Sequence, residues 1–225
     1  MKSISRAKFL SFSKEKQHKK AAEAARALYF EMREWMGLEP VEETLAGAAD
    51  GYHEHVRQMG RGVREHNLLP EVREGDREVA GPVLDVSLYL DGIRSAHNVG
   101  SILRSAEAFC VKRLYFSPTT PLPTHPQVQK TSMGAWRWVE WEVVEGPPPG
   151  LIALETCKGA TPLHEFPFRP GCVIAVGNEE YGCSREVLEA AEAVVEIPLY
   201  GRKNSLNVAN AAAIALYQIS FSSCF

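Results

Sequence analysis

Polar side chains follow a short apolar segment near the C-terminal end of the sequence. Ile197 and Pro198 end this segment, a glycine-containing loop follows, and Ser205-Leu206-Asn207 opens an alanine-rich helix. We expect Ser205 to be the N-cap, because its hydroxyl can accept a hydrogen bond from an early helix N–H. Asn207 is then expected inside the first turn, where a buried amide needs a partner or a ligand. A glycine beside a helix N-terminus lets a ligand approach the backbone, so the segment predicts a small-molecule site.

Two other segments place polar groups after apolar runs. Asn98 and Arg104 stand in the spacing N-x-G-x-x-x-R after the run at 86–90, and Glu179 stands in G-x-E-x-x-G after the run at 172–176. A guanidinium can hold a phosphate, and a carboxylate can orient a cation or an amide through charge-assisted hydrogen bonds. The second spacing is not the dinucleotide pattern G-x-G-x-x-G, so it gives no support to a nicotinamide enzyme.

Alternating strands and helices after residue 83 must position these groups. Strands are predicted at Val86–Leu90, Arg113–Phe116, Trp136–Val144, Leu151–Glu155, Cys172–Val176 and Val194–Ile197, and helices near Val99–Phe109, Ser184–Ala191 and Leu206–Ile219. Such alternation predicts an α/β fold with a mostly parallel sheet and helices on both faces. Ligands of such sheets bind beyond the carboxyl ends of the strands, and all three polar segments are expected there.

The N-terminal part follows a different pattern. Residues 1–82 are predicted to form a helical extension before an α/β domain at 83–225. Apolar residues recur at helical spacing from Lys14 to Met36, and a second helix is expected from about Val41 to Met59. The polar stretch Leu69–Pro82 is typical of a linker.

Composition excludes several classes of protein. Apolar residues make up 45% and charged residues 24% of the 225 positions, as in ordinary globular proteins, and no apolar run approaches the ~20 residues of a membrane span. The five cysteines are scattered without a C-x-x-C pair, which argues against a disulfide framework and a zinc site. His53, His55 and His66 match no common ligand spacing and are expected at the surface. We expect no metal and no membrane partner, and a cytoplasmic location.

The three polar segments together resemble the three motifs of the SpoU/TrmH family, over about residues 83 to 220. Members of this family are S-adenosylmethionine-dependent RNA ribose 2′-O-methyltransferases of the SPOUT class. The resemblance implies a C-terminal trefoil knot, S-adenosylmethionine as cofactor, RNA as substrate, and a homodimer whose catalytic pocket is completed at the subunit interface. It does not extend to residues 1 to about 80, which do not look like the small L30-like domain of some members.

The resemblance also implies a set of catalytic residues: Asn98, Arg104, Glu179, Ser205 and Asn207. The arginine matching Arg104 acts on the 2′-hydroxyl of the target ribose in the family. A guanidinium is a poor base, so holding the adjacent phosphate and orienting the hydroxyl is the less demanding role. Glu179 is expected to orient Arg104 or Asn207. Asn98 can bind Arg104 or RNA, and can also cap its helix.

Cofactor contacts implied by the resemblance are largely backbone contacts. The matching positions are Val176, Gly177, Ile197, Leu199, Gly201 and Leu206. Apolar walls with backbone donors and acceptors suit an adenine ring. Core packing is the alternative role for Ile197, Leu199 and Leu206, and both roles are compatible.

Basic residues supply the predicted RNA contacts. The formal net charge is −3, yet residues 1–26 hold eight Lys or Arg and two Glu, a net of +6 that leaves −9 for the rest. A basic arm on an acidic body favours a polyanion, and a solvated helix face is the alternative. The lysines concerned are Lys14, Lys16, Lys19 and Lys20. Lys130 belongs to a weaker family-like segment at 130–135, whose alternative is a loop and helix start.

Two other functions are alternatives to the methyltransferase. A non-catalytic RNA-binding relative would keep the fold, but it would be expected to lose some of the five catalytic residues. An unrelated doubly wound nucleotide enzyme would be expected to carry a glycine-rich phosphate loop after the first strand, which this sequence lacks there. Among RNA substrates, tRNA is expected ahead of rRNA.

Overall fold

The chain divides into two units, Met1–Leu69 and Pro70–Phe225. The computed structural model describes residues 4–22, 26–41, 45–59 and 81–222, so most of the predicted linker and His66 lie outside the described residues. No helix within these ranges is long and apolar enough to cross a bilayer. The same ranges contain no group of three or more His, Cys, Asp or Glu side chains placed to hold a metal ion.

The first unit is helical in its described part. Its helices are α1 (Arg6–Leu10), α2 (Lys14–Ala22), α3 (Arg26–Trp35) and α4 (Leu45–Gln58). Helix was predicted over 14–36 and 41–59, and α2, α3 and α4 confirm this over their own residues, whereas α1 was not predicted. Phe9, Ala21, Tyr29 and Met32 form the buried core. Ala21 and Met32 are two of the apolar residues whose spacing predicted the helix from Lys14 to Met36.

His55 is buried in this first unit, so its predicted surface position is wrong. Its side chain is 0% exposed, and its Nδ1 lies 2.7 Å from Nδ1 of His18. The ring also contacts Tyr29, with centroids 5.7 Å apart. Arg33 is buried nearby and donates to Glu54 Oε2 at 2.7 Å. The predicted helix places His53 and His55 on different faces, and His53 is exposed as expected.

A seven-stranded sheet organises the second unit. Its strands are β1 (Leu84–Leu90), β2 (Val111–Phe116), β3 (Trp141–Val143), β4 (Leu151–Leu154), β5 (Thr161–Pro162), β6 (Val173–Val176) and β7 (Ala193–Glu196). The order is β3-β2-β1-β6-β4-β7-β5, and each neighbouring pair is parallel. The connecting helices are α5 (Ala96–Ala108), α6 (Pro126–Ser132), α7 (Arg185–Ala190) and α8 (Val208–Ile219), with a 3₁₀ turn at Ala135–Arg137.

Both faces of the sheet are covered by helices, which confirms the predicted fold class. Leu88 and Ile174 point to the face that packs against α5 and α8. Tyr89 and Ala175 point to the other face, where Val187 of α7 packs. Strands buried on both faces have continuous apolar sequences, and this is why β1 and β6 were visible in the sequence. The trefoil knot stays a prediction of the family resemblance.

One predicted strand was wrong, and two further elements were not predicted. The strand expected at Trp136–Val144 is a 3₁₀ turn followed by the short strand β3, since Gly134 turns the chain in the left-handed region with φ of 92°. Helix α6 was not among the predicted helices, and it begins at Pro126 after the N-cap His125, a position where a missing N–H costs nothing. The two-residue edge strand β5 is too short to show a pattern.

Candidate active site

A cavity of about 570 Å³ lies at the carboxyl ends of β4, β6 and β7. Leu154 and Val176 end their strands at this cavity, and Ile197 follows β7 into its wall. Because β6 lies between β1 and β4, the segments after β1 and β6 meet at the same sheet edge. The predicted clustering of the three polar segments at this edge is therefore what the structure shows.

Five of the six predicted cofactor residues line the cavity: Val176, Gly177, Ile197, Leu199 and Leu206. Gly201 does not line it. A Cβ built on Gly201 would meet nothing within 4 Å, so this glycine stands in open space. The walls that the other five form are mainly apolar side chains and backbone, as the sequence predicted.

The loop after β6 is folded tightly on itself. Asn178 and Gly182 exchange backbone hydrogen bonds at 2.8 and 2.9 Å, and Gly182 has φ of 74°. A Cβ on Gly177 would lie 2.1 Å from the carbonyl carbon of Gly182. The backbone of this loop therefore requires glycine at positions 177 and 182. Glu155 stabilises the loop by accepting a hydrogen bond from Cys183 N at 2.8 Å.

Side-chain hydrogen bonds join the three polar segments. Asn98 Nδ2 donates to Glu179 Oε1 at 2.7 Å, and Asn207 Nδ2 donates to Asn98 Oδ1 at 3.0 Å. Glu179 also accepts from the backbone N–H groups of Arg94 and Ser95 at 2.8 and 3.1 Å. Asn98 thus uses both its donor and its acceptor to connect α5 with the loop after β6 and the start of α8.

These contacts set the ionisation of Glu179. Burial alone would raise the pKa of this carboxyl, but the hydrogen bonds from Arg94 N, the Asn98 amide and Ser95 N outweigh it and lower the pKa below its ordinary value. Glu179 is therefore an ionised carboxylate, whose oxygens accept hydrogen bonds and donate none. Its predicted partners were Arg104 or Asn207, yet within the described residues it bonds neither directly and is linked to Asn207 through Asn98.

The helix caps differ from the predictions. Asn207, not Ser205, is the N-cap of α8, and its Oδ1 accepts from Ala209 N and Asn210 N. Ser and Asn are about equally good caps, and the backbone enters the helix two residues later than expected. Ser205 lines the cavity and is exposed. Asn98 is likewise not a cap, because Ser95 caps α5 by accepting from Asn98 N.

Arg104 points away from this network. It lies six residues after Asn98 on α5, which is about 9 Å along a helix and on a different face. The side chain is exposed, and its Nη1 lies 3.1 Å from Sδ of Met133. In the described part of the chain it neither lines the cavity nor bonds Asn98 or Glu179.

The predicted RNA-binding lysines lie on two helices. Lys14, Lys16 and Lys19 are exposed on α2 of the first unit, and Lys20 there is half-buried. Lys16 lies over the ring of Phe12, 4.2 Å from its centroid. Lys130 is exposed in the last turn of α6. Of the alternatives for residues 130–135, the structure shows the end of a helix rather than its start.

Two residues of the network had been missed by sequence reasoning. Ser95 provides the cap of α5 and a backbone N–H to Glu179, and its position three residues before Asn98 is an ordinary N-cap signal. Asn178 anchors the loop after β6 by donating to Gly92 O at 2.6 Å. No local pattern indicates that bond, because its two residues are 86 positions apart.

Comparison with known proteins places the chain in a family. The model of the SpoU rRNA Methylase family matches residues 85–217. This range is more than half of the chain and includes all three polar segments. The chain belongs to this family, which confirms the resemblance drawn from its motifs.

Individual relatives are matched over part of their length. The chain is 29% identical over 150 residues to the tRNA (guanosine(18)-2'-O)-methyltransferase of Aquifex aeolicus (strain VF5), covering 60% of this chain and 68% of that protein. It is 31% identical over 144 residues to the 23S rRNA (guanosine-2'-O-)-methyltransferase RlmB of Coxiella burnetii (strain RSA 493 / Nine Mile phase I), covering 59% and 56%.

A solved structure shows the same fold. The SpoU methyltransferase AviRb from Streptomyces viridochromogenes, in complex with the cofactor AdoMet, matches with a TM-score of 0.56 and 25% identity, over 63% of this chain and 58% of that one. The chain thus spans between about half and two thirds of the length of these three relatives.

Proposed function

We propose that this protein transfers a methyl group from S-adenosylmethionine to a ribose 2′-hydroxyl of RNA. The observation that carries the proposal is the chain of hydrogen bonds Glu179–Asn98–Asn207 beside the cavity. It assembles residues of all three family motifs at one sheet edge. The names of the Aquifex and Coxiella relatives describe the same reaction class on tRNA and on rRNA.

The cavity suits the cofactor in size and chemistry. Its volume of about 570 Å³ falls within the ~300–1,000 Å³ of small-molecule sites. Ile197, Leu199 and Leu206, which line the cavity, would enclose the adenine ring. The sulfonium of S-adenosylmethionine supplies an electrophilic methyl group. Glu179 and Asn207 hold the polar end of the cavity in place for it.

Arg104 is proposed to hold the phosphate next to the target ribose and so orient its hydroxyl. The exposed guanidinium has no carboxylate partner among the described residues, which leaves it available for a polyanion. Its distance from Asn98 along α5 makes a direct role in one chain's cavity difficult. A homodimer, in which a second copy brings its own Arg104 to the pocket, would remove that difficulty.

Exposed apolar side chains at the end of the chain's last described helix support the homodimer. Ile214 and Tyr217 of α8 are 42% and 58% exposed, and Phe221, which follows α8, is 71% exposed. Ile214 and Tyr217 lie three residues apart on one helix face, and the rings of Tyr217 and Phe221 are in contact, with centroids 5.0 Å apart. Contiguous exposed apolar surface marks interaction sites. Tyr217→Asp should shift the protein to monomer in analytical ultracentrifugation and abolish methyl transfer. Trp138→Asp, at a ring that is equally 58% exposed, is the matched control.

The finer assignments follow from the same proposal. The substrate is tRNA, with rRNA as the alternative, and residues 1–82 form a basic RNA-binding extension to the methyltransferase domain at 83–225. The exposed lysines of α2 support the extension. Cys110, Cys157, Cys172 and Cys183 are free thiols, which fits a reducing cytoplasm.

Methyl transfer from labelled S-adenosylmethionine tests the function. The acceptor is RNA from a strain that lacks the gene, separated into tRNA and rRNA. We expect label in one fraction and a loss of about 100-fold or more in Arg104→Ala, with binding of S-adenosylhomocysteine unchanged. Arg185→Ala is the control, since Arg185 is exposed and pairs with Glu189 on α7. Cofactor binding without transfer to either fraction would favour a non-catalytic RNA-binding relative.

A further inference from the structure

The loop that connects two parts of the cavity wall carries an exposed surface of its own. Leu199 and Asn204 both line the cavity, whereas the four residues between them, 200–203, lie outside it and are exposed. Both ends of this short segment are therefore fixed at the cavity. A group bound to residues 200–203 would lie next to a ligand in the cavity.

Tyr200 is the most exposed large apolar side chain of the described residues, at 98%. Single exposed rings are common on protein surfaces, so the position and neighbours of this ring carry the argument. Tyr181 is also exposed, at 66%, but it lines the cavity. In contrast to Tyr181, Tyr200 does not line the cavity, and its exposed ring lies on the segment beside it.

Two cations follow the ring directly. Arg202 and Lys203 are exposed, and neither has a carboxylate partner among the residues that the structure describes. By contrast, Arg94 is paired with Glu180 of the cavity wall. An exposed ring next to unpaired cations has the chemistry of a single-stranded nucleic-acid site, in which bases stack on aromatic rings and cations hold phosphates.

We propose that residues 200–203 bind single-stranded RNA of the substrate, with a base stacked on Tyr200 and neighbouring phosphates held by Arg202 and Lys203. The inference rests on the proposed function in taking the partner to be RNA. Duplex RNA offers no free base face to such a ring. A second copy of the chain is the poorer occupant if residues 200–203 lie on the two-fold axis, because the same cations of both copies would then come together.

Binding of purified, unmethylated tRNA to the full chain tests the proposal, with rRNA fragments as a second probe. We expect Tyr200→Ala to raise the Kd for RNA about 5- to 100-fold, and Tyr200→Phe, which keeps the ring, to remain within about twofold. The double variant Arg202→Ala/Lys203→Ala should lower the slope of log Kd against log salt by about one for each lost phosphate contact. Trp138→Ala is the control for loss of an exposed ring elsewhere.

Other readouts separate this role from its alternatives. In steady-state methyl transfer, Tyr200→Ala should raise the KM for RNA and leave the KM for S-adenosylmethionine unchanged. Equal RNA affinity of Tyr200→Ala and wild type would overturn the proposal, as would dissociation of a dimer or weaker S-adenosylhomocysteine binding in that variant. If the protein transfers methyl groups but Tyr200→Ala changes neither RNA binding nor KM, the RNA site is wrong and the proposed function stands. If RNA binding depends on Tyr200 but no methyl transfer occurs, the RNA site stands and the proposed function is wrong.

Discussion

Asn98 and Glu179 are 81 positions apart in the chain, yet a hydrogen bond of 2.7 Å joins their side chains. The bond fixes the start of α5 against the loop after β6. Asn98 also accepts from Asn207 at 3.0 Å, so one amide connects all three motif segments. Changes at Glu179 and Asn207 therefore test whether this connection matters for activity.

Glu179→Gln should weaken both the site and the fold around it. The carboxylate accepts from Arg94 N, Ser95 N and Asn98 Nδ2, whereas glutamine has one acceptor oxygen and would turn its amide against at least one donor. We expect a loss of about 1 kcal/mol in the free energy of unfolding, measured by thermal denaturation, and a large loss of methyl transfer. Glu180→Gln, which removes an exposed pair with Arg94, should cost at most about 0.5 kcal/mol.

The same variant should change the acid stability of the protein. Because the folded-state pKa of Glu179 lies below its ordinary value of 4.5, the carboxylate contributes stability that is fully present above pH 4.5 and is lost as the pH falls through the folded pKa. Wild type should lose this contribution on acidification, and Glu179→Gln should not. Identical slopes of unfolding free energy against pH in the two proteins would show that the hydrogen bonds to Glu179 carry no net stability.

Asn207 has two roles that substitutions can separate. Asn207→Ala removes both the cap of α8 and the bond to Asn98, and it should cost about 1 kcal/mol of stability together with activity. Asn207→Asp keeps a good cap acceptor but places an oxygen against Asn98 Oδ1. We expect its melting temperature to stay near wild type while methyl transfer falls. Full activity of Asn207→Asp would mean that the bond to Asn98 is dispensable.

The sequence allowed the strands and the position of the site to be predicted, but not its contacts. Continuous apolar runs marked β1 and β6, because both are buried on two faces, and polar groups after parallel strands meet at one edge. The order of strands in the sheet makes β1 and β6 neighbours, and the sequence does not show this order, so the bond between Asn98 and Glu179 could not be predicted. Burial of the His55 side chain could not be predicted either, because it depends on the packing of α2 against α4.

Local ambiguities account for the remaining errors. Ser205 and Asn207 are both good N-caps, and their separation of two residues leaves the choice to the backbone that enters α8. Arg104 was expected near Glu179 because their motifs are associated. On α5 the six-residue spacing instead turns Arg104 to another face than Asn98.

Two glycines of the motifs should tolerate no side chain. In Gly177→Ala the new Cβ would lie 2.1 Å from backbone of Gly182, and in Gly100→Ala it would lie 2.8 Å from the Val128 carbonyl oxygen. Backbone cannot move aside easily, so we expect each variant to lose about 3 kcal/mol of stability or to fail to fold. Gly201→Ala is the matched control, since its Cβ meets nothing within 4 Å, and it should stay within about 0.5 kcal/mol.

The contact between His18 and the buried His55 should make the helical unit sensitive to mild acid. Burial chiefly, then the charges of His18 and Arg33, lower the pKa of His55 to about 4 against the opposing effect of Glu54. Burial also lowers the pKa of His18, with Lys14 acting in the same direction and Glu54 against it. At neutral pH both rings are therefore uncharged, and one Nδ1–H donates to the other ring across 2.7 Å.

A histidine whose folded pKa is lowered contributes stability that is fully present above its ordinary pKa of 6.5 and is lost as the pH falls towards about 4. The loss expected for His55 is on the order of 3 kcal/mol. Amide hydrogen exchange of peptides from α2 and α4, corrected for the intrinsic pH dependence of exchange, should show falling protection between pH 6.5 and pH 4. His55→Leu keeps an apolar side chain in place and should flatten this dependence. An equal fall in the variant would assign the acid sensitivity to other groups, because His55 is the residue whose protonation the substitution removes.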